Sequence, residues 1–158
     1  MNFKLITTFV FFAGTTVAAL ANGTHAGGHG EKLAVGEPGD KSKISRILFV
    51  TMKDDENGMR FTPKEISVKQ GETIKFMIKN EGTVDHEFVL DDEPKMMAHK
   101  VLMEKFPEME HDDPNMIRLA SGKSSEVIWK FTNAGSFKFG CLIPGHMESG
   151  MVGPVVVK

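Results

Sequence analysis

The sequence predicts an all-β domain, a sandwich or barrel, on three observations. From Ile44 onward the chain runs in short stretches rich in Val, Ile, Phe and Thr, separated by turn-forming residues. In the clearest stretch Ile74, Phe76 and Ile78 alternate with Lys75, Met77 and Lys79, so one face is set for burial and the other largely for water. No heptad, internal repeat or helical periodicity competes with that pattern.

Two segments precede the domain. Residues 1–21 carry one positive charge at Lys4, an apolar run from Leu5 to Leu20 and small residues at Ala19 and Ala21, the pattern of a secretory signal peptide cleaved after Ala21. An uncleaved membrane anchor is the alternative, but Gly14, Thr15 and Thr16 interrupt a run already short for a span. The residue after the cleavage site is Asn22, not a cysteine, so lipid attachment at a new N-terminal Cys is not indicated, and no membrane anchor is expected once the signal peptide is cleaved. Residues 22–43, rich in Gly and polar side chains, read as a mobile arm. Within it His25 and His29 are spaced so that both can reach one metal ion, which makes a weak auxiliary copper site; a solvated linker with incidental histidines explains the composition equally well.

The remaining chain is one domain's worth, long enough to bury a single core. The full chain's formal net charge of −2 is well mixed along the sequence, which argues against a nucleic-acid partner held through phosphates. Strands are expected at residues 44–52, 65–69, 73–80, 86–90, 125–131, 136–139 and 152–157. Gln70-Gly71 and Asn80-Glu81-Gly82 supply turns, residues 54–58 make a polar break, and Pro63 marks an edge or bend.

Between the strands lies an insertion at about residues 91–123, holding Met96, Met97, His99, Met103, Met109, His111 and Met116 among acidic residues. Residues 95–106 are expected to form a short helix, since Met96, His99 and Met103 recur at helical spacing and Pro107 would end it. Two readings of these side chains stand side by side. They are adaptable core over the open side of the domain, or they form a softer auxiliary site for additional copper ions, because thioether and imidazole favour Cu(I).

The chemistry concentrates at residues 140–151. This stretch holds the single cysteine, and Cys141, His146 and Met151 fall at even spacing, so a loop folded on itself can aim a thiolate, an imidazole and a thioether at one point. Two His, one Cys and a weak axial Met are the donors of electron-transfer copper centres. The second His is His86, which follows the turn at residues 81–85 and opens a strand. A lone thiol cannot bridge internally and is a liability in an oxidising compartment unless occupied, as metal ligation would do. Met147 neighbours His146 and would point away from the same metal, whereas Gly150 frees the backbone to bring Met151 in.

The stretch at residues 63–73, the Asp85-His86-Glu87-Phe88 run and the Cys141-to-Met151 loop together resemble a cupredoxin, over nearly all of residues 44–158. The closer similarity is to the small periplasmic copper-tolerance cupredoxins, the CopI-type group, which share a His-bearing arm and a Met- and His-containing insertion. The resemblance implies a cupredoxin-like Greek-key β-sandwich with a partly helical insertion. It implies a mononuclear type 1 copper site with His86, Cys141 and His146 as equatorial ligands and Met151 as the axial one. It further implies a periplasmic protein acting in copper tolerance through copper binding and one-electron redox, with copper ions as ligand and a transient redox or copper-transfer partner docking around His146 at Pro144, Met147 and Val152. The alternative is a diffusible electron carrier of a respiratory or photosynthetic chain. An oxidase or nitrite reductase is disfavoured, since no His-x-His or His-Cys-His pair occurs. Two departures stand out: Glu87 occupies the position where many blue copper proteins carry Asn, and the Cys141–His146 interval, with Pro144-Gly145 in its turn, is not the shortest the family uses.

Overall fold

In strand β5 (Thr73–Asn80) the alternation read from sequence becomes a buried face: Ile74, Phe76 and Ile78 are shut away from solvent, each such burial stabilising the fold by about 1.5–3 kcal/mol. The computed structural model describes residues 33–109 and 112–158, and in it β5 is the middle strand of one of two five-stranded sheets. The first sheet runs in the order β1 (Glu37–Pro38), β8 (Ser124–Lys130), β5, β2 (Arg46–Asp55), β3 (Gly58–Thr62). The second runs β4 (Ile66–Val68), β10 (Val152–Val157), β9 (Gly135–Gly140), β6 (His86–Asp91), β7 (Met116–Leu119). Pairing is antiparallel except for β2 with β5 and β4 with β10. The all-β sandwich is therefore what the chain forms.

The core between the sheets is aromatic. Phe88 stacks on Phe139 with centroids 5.9 Å apart, and Phe61 meets Phe139 edge-on at 5.0 Å. Strand β6 is buried along its whole length because both of its faces are covered. Phe88 and Leu90 face the inter-sheet core, while Val89 faces outward onto helix α1 (Glu93–Lys105), where it packs with Met96, Met103 and Leu142. The helix starts two residues before the expected point because the Asp92 side chain caps it, accepting the Lys95 N–H at 2.9 Å, and it ends before Pro107 as expected.

Three differences from the sequence reading follow from local physics. The expected polar break at residues 54–58 is a tighter reversal: β2 continues through Asp55, and β3 returns from Gly58, whose φ of 89° suits glycine. The expected insertion is shorter than residues 91–123, because Met116–Leu119 forms edge strand β7 beside β6. The arm is anchored from Leu33 onward: Val35 is fully buried, its carbonyl accepts the Trp129 indole N–H at 3.2 Å, and β1 pairs with β8. The expected signal peptide, His25, His29 and His111 lie outside the described residues.

Candidate metal centre

Antiparallel pairing of β6 with β9, and of β9 with β10, brings the start of β6, the end of β9 and the start of β10 to the same end of the second sheet. His86 opens β6, Cys141 follows β9, His146 sits in the connecting loop and Met151 precedes β10. The backbone closes the loop on itself: Cys141 N–H donates to the Met151 carbonyl at 3.0 Å and Met151 N–H to the His146 carbonyl at 3.1 Å. Gly145 and Gly150, at φ of 86° and 105°, provide the left-handed turns this requires.

The donors converge. His86 Nδ1 lies 3.2 Å from His146 Nδ1, Cys141 Sγ lies 3.3 Å from His146 Nδ1, and the three donor atoms all fall within 4.8 Å of one another. His86 and Cys141 are fully buried and His146 is half-buried. Met151 is fully buried in the same core cluster as Cys141. Two imidazoles and one buried thiol at this separation are a donor set suited to copper.

The surroundings set protonation and orientation. Burial pushes the Cys141 thiol up to about 12, against the pull of the Glu87 N–H, which donates to Sγ at 3.2 Å. Burial, and then the neighbouring His86, hold His146 below the ordinary imidazole value, which leaves one ring-nitrogen lone pair free for a metal. His86 Nε2 meets Asp54 Oδ1 at 3.2 Å, so its Nδ1 is the atom turned to the other donors. Asp54 is itself fixed by Thr83, whose N–H donates to Oδ1 at 2.6 Å and whose hydroxyl donates to Oδ2 at 2.5 Å. Burial opposes ionisation of Asp54, but the Thr83 and His86 contacts keep its carboxyl below the usual range.

Behind this pair stands a small scaffold. A Cβ at Gly82 would collide with Asp54 Oδ1 and press on His86 Nε2, so glycine is needed for close approach. The Asn80 side chain donates to the carbonyls of Val84 at 2.8 Å and Leu119 at 2.9 Å and accepts the Gly82 N–H at 2.9 Å. Asn80 thus braces the turn that delivers His86. Glu87 instead points its side chain away from the centre: it is 2 % exposed, and neither carboxylate oxygen makes a well-formed hydrogen bond. Burial raises its pKa, the Arg118 charge and then the nearby Leu142 N–H offsetting part of the effect.

The sequence reading singled out His86, Cys141 and His146, and the structure brings them together; it missed Asp54, Asn80 and Thr83. Of the Met and His residues in the insertion, Met96 and Met103 are fully buried, Met109 and Met116 pack against them, Met97 is exposed and His99 is half-buried. Met147 packs in that outer cluster, away from the cluster holding Cys141, as its position beside His146 predicts. Pro144 is exposed, and Met147 and Val152 are half-buried around His146.

Residues 49–158 match the family of copper-binding proteins described as the plastocyanin/azurin family. A copper-resistant cuproprotein CopI of Rubrivivax gelatinosus is 48% identical over 85% of this chain and 81% of its own length. A copper-resistant cuproprotein CopI of Pseudomonas aeruginosa is 33% identical over 98% of this chain and 97% of its own. Among solved structures, auracyanin B superposes with a TM-score of 0.64 over 78% of this chain and 96% of its own, at 20% identity, a likeness of fold.

Proposed function

The chain belongs to the plastocyanin/azurin family of copper-binding proteins, and from that premise we propose that it is a periplasmic copper-tolerance protein holding one copper ion and cycling it by one electron. His86, Cys141 and His146 would be the strong ligands in this reading, with Met151 as a weaker fourth. The observation that carries it is the convergence of two imidazoles and the single thiol within 4.8 Å. A copper ion held there supplies a Cu(I)/Cu(II) couple.

The chain's own residues do the rest. Asp54 and Asn80 hold His86 before any metal arrives, so little rearrangement accompanies binding or a change of oxidation state. Cys141 is fully buried, and a metal bound there would displace its thiol proton, which leaves to solvent. His146, half-buried on the end loop beside exposed Pro144, is the ligand a transient protein partner reaches.

A diffusible electron carrier is the second reading, since the same site serves it. The tolerance role is supported by the two relatives, both named copper-resistant cuproproteins, and by the methionine-rich layer behind β6, which electron transfer alone does not need. A deletion strain decides between them. Sensitivity to added copper with normal respiration, restored by the wild-type gene and not by Cys141→Ser, supports tolerance; a respiratory or photosynthetic defect at low copper supports the carrier.

A further inference from the structure

Strand alternation turns His86 and Phe88 inward and Glu87 and Val89 outward, so β6 presents a second surface directly behind the copper centre. Its neighbour β7 sets Arg118 opposite Glu87 and Met116 opposite Val89 on that same outer face. There a cleft of about 370 Å³ is lined by Asp85, Glu87, Glu108, Met109, Met116 and Arg118.

Glu87 is the anomaly in that cleft. A carboxylate at 2 % exposure, with no well-formed hydrogen bond on either oxygen and only the Leu142 N–H as a nearby donor, is costly, and its natural complement is a cation. Arg118 is engaged elsewhere: Nε is 3.2 Å from Asp85 Oδ2, Nη1 donates to the Pro107 carbonyl at 2.9 Å, and Nη2 lies 3.9 Å from Glu108. Three carboxylates face one guanidinium, so the lining favours positive charge.

The lining also selects the kind of cation. Among the described residues, His86, Cys141 and His146 are the set of three His, Cys or carboxylate donors that converges, so Asp85, Glu87 and Glu108 do not close a cage for a hard divalent ion. The further donors in the cleft are the thioethers of Met109 and Met116, half-buried and flexible against the Met96 and Met103 layer. Thioethers select Cu(I). We propose that this cleft is a second metal site, taking Cu(I) on Met109 and Met116 with the Glu87 carboxylate as counter-charge.

The proposal rests on the reading of the protein as one that handles copper, and it links the two sites. The Glu87 N–H donates to Cys141 Sγ, so a cation on the Glu87 side chain sits one residue from the thiolate. Filling the cleft therefore favours Cu(I) at the primary centre and raises its reduction potential.

The test is anaerobic Cu(I) titration of the full chain carrying ¹³C-methyl-labelled methionine, against a competing chelator. The variants are Met109→Leu/Met116→Leu, which conserves core volume, and Glu87→Gln. In the wild type the Met109 and Met116 methyl signals should move together on an equivalent distinct from the one that moves Met151. The double variant should bind one equivalent fewer and, reoxidised, keep the Cys141-dependent visible band. Glu87→Gln should weaken that second equivalent by roughly tenfold, as expected for losing one charge-assisted contact. Stationary Met109 and Met116 signals, or an unchanged Cu(I) count in the double variant, would overturn the proposal. Failure of the primary reading would show separately, as absence of the visible band in the wild type.

Discussion

His86 Nε2 sits 3.2 Å from Asp54 Oδ1, and this contact determines which face of the imidazole is offered to a metal. The carboxylate holds the N–H on Nε2 and leaves the Nδ1 lone pair aimed at Cys141 and His146. Asp54→Asn keeps the shape but weakens the acceptor, and copper affinity should fall by about 10–100-fold, as is usual for removing such an orienting partner. Competition with a chromophoric chelator measures it; unchanged affinity would show that the packing around His86 orients the ring without Asp54.

Gly82→Ala tests the same contact from the other side. Its new Cβ meets Asp54 Oδ1, so the carboxylate must leave His86. The variant should match Asp54→Asn in copper affinity and also lose thermal stability; chelator competition reads the first and a thermal melt the second, and unaltered affinity would count against the contact.

Copper binding should release one proton near neutral pH. The buried Cys141 thiol, pushed up to about 12, is protonated before binding and ionised after it. His146, held low by burial and His86, is already neutral and contributes none. Apparent affinity should therefore rise by about tenfold per pH unit through the neutral range. Calorimetry in buffers of different ionisation enthalpy counts the proton, and a count of zero would mean the thiol is already ionised or is not a ligand.

Glu87→Gln should stabilise the metal-free protein, with a definite pH trend. Burial raises the folded-state pKa of Glu87, so its folded form holds the proton more tightly than the unfolded chain does. The wild type therefore loses stability as pH climbs from the ordinary carboxylate range through that raised value, and the amide does not. The variant's advantage should reach about 1–3 kcal/mol at neutral pH and fade in acid. Chemical denaturation at a series of pH values would reveal a flat difference if the carboxylate were compensated.

Met96→Ala and Met103→Ala should each cost about 2–5 kcal/mol, because both side chains are fully buried beneath α1. Met96→Leu and Met103→Leu should cost less than about 1.5 kcal/mol and leave the number of bound copper ions unchanged. A lost copper equivalent in either leucine variant would make these residues ligands rather than core.

How legible all this was in the sequence depends on where each signal resides. Cys141, His146 and Met151 share one loop, and His86 opens a strand whose alternation is plain, so composition and spacing suffice. Asp54 lies 32 residues before His86 and meets it only through the pairing of β2 with β5 and the turn that follows. No local pattern marks it. Strand β7 has four residues and sits among Met, His and acidic residues that mask its alternation; its edge position beside β6 is a tertiary fact. The arm reads as mobile from its glycines, yet Val35 beneath Trp129 anchors it, a contact across 94 residues that periodicity cannot register.

The most direct test of the candidate copper centre is the visible spectrum of the protein during Cu(II) titration, beside Cys141→Ser. Copper held on Cys141 should give an intense thiolate-to-copper band that saturates at the primary site's single equivalent and is absent from the variant. A pale product with the same spectrum in both proteins would contradict it, because Cys141 would then not touch the metal.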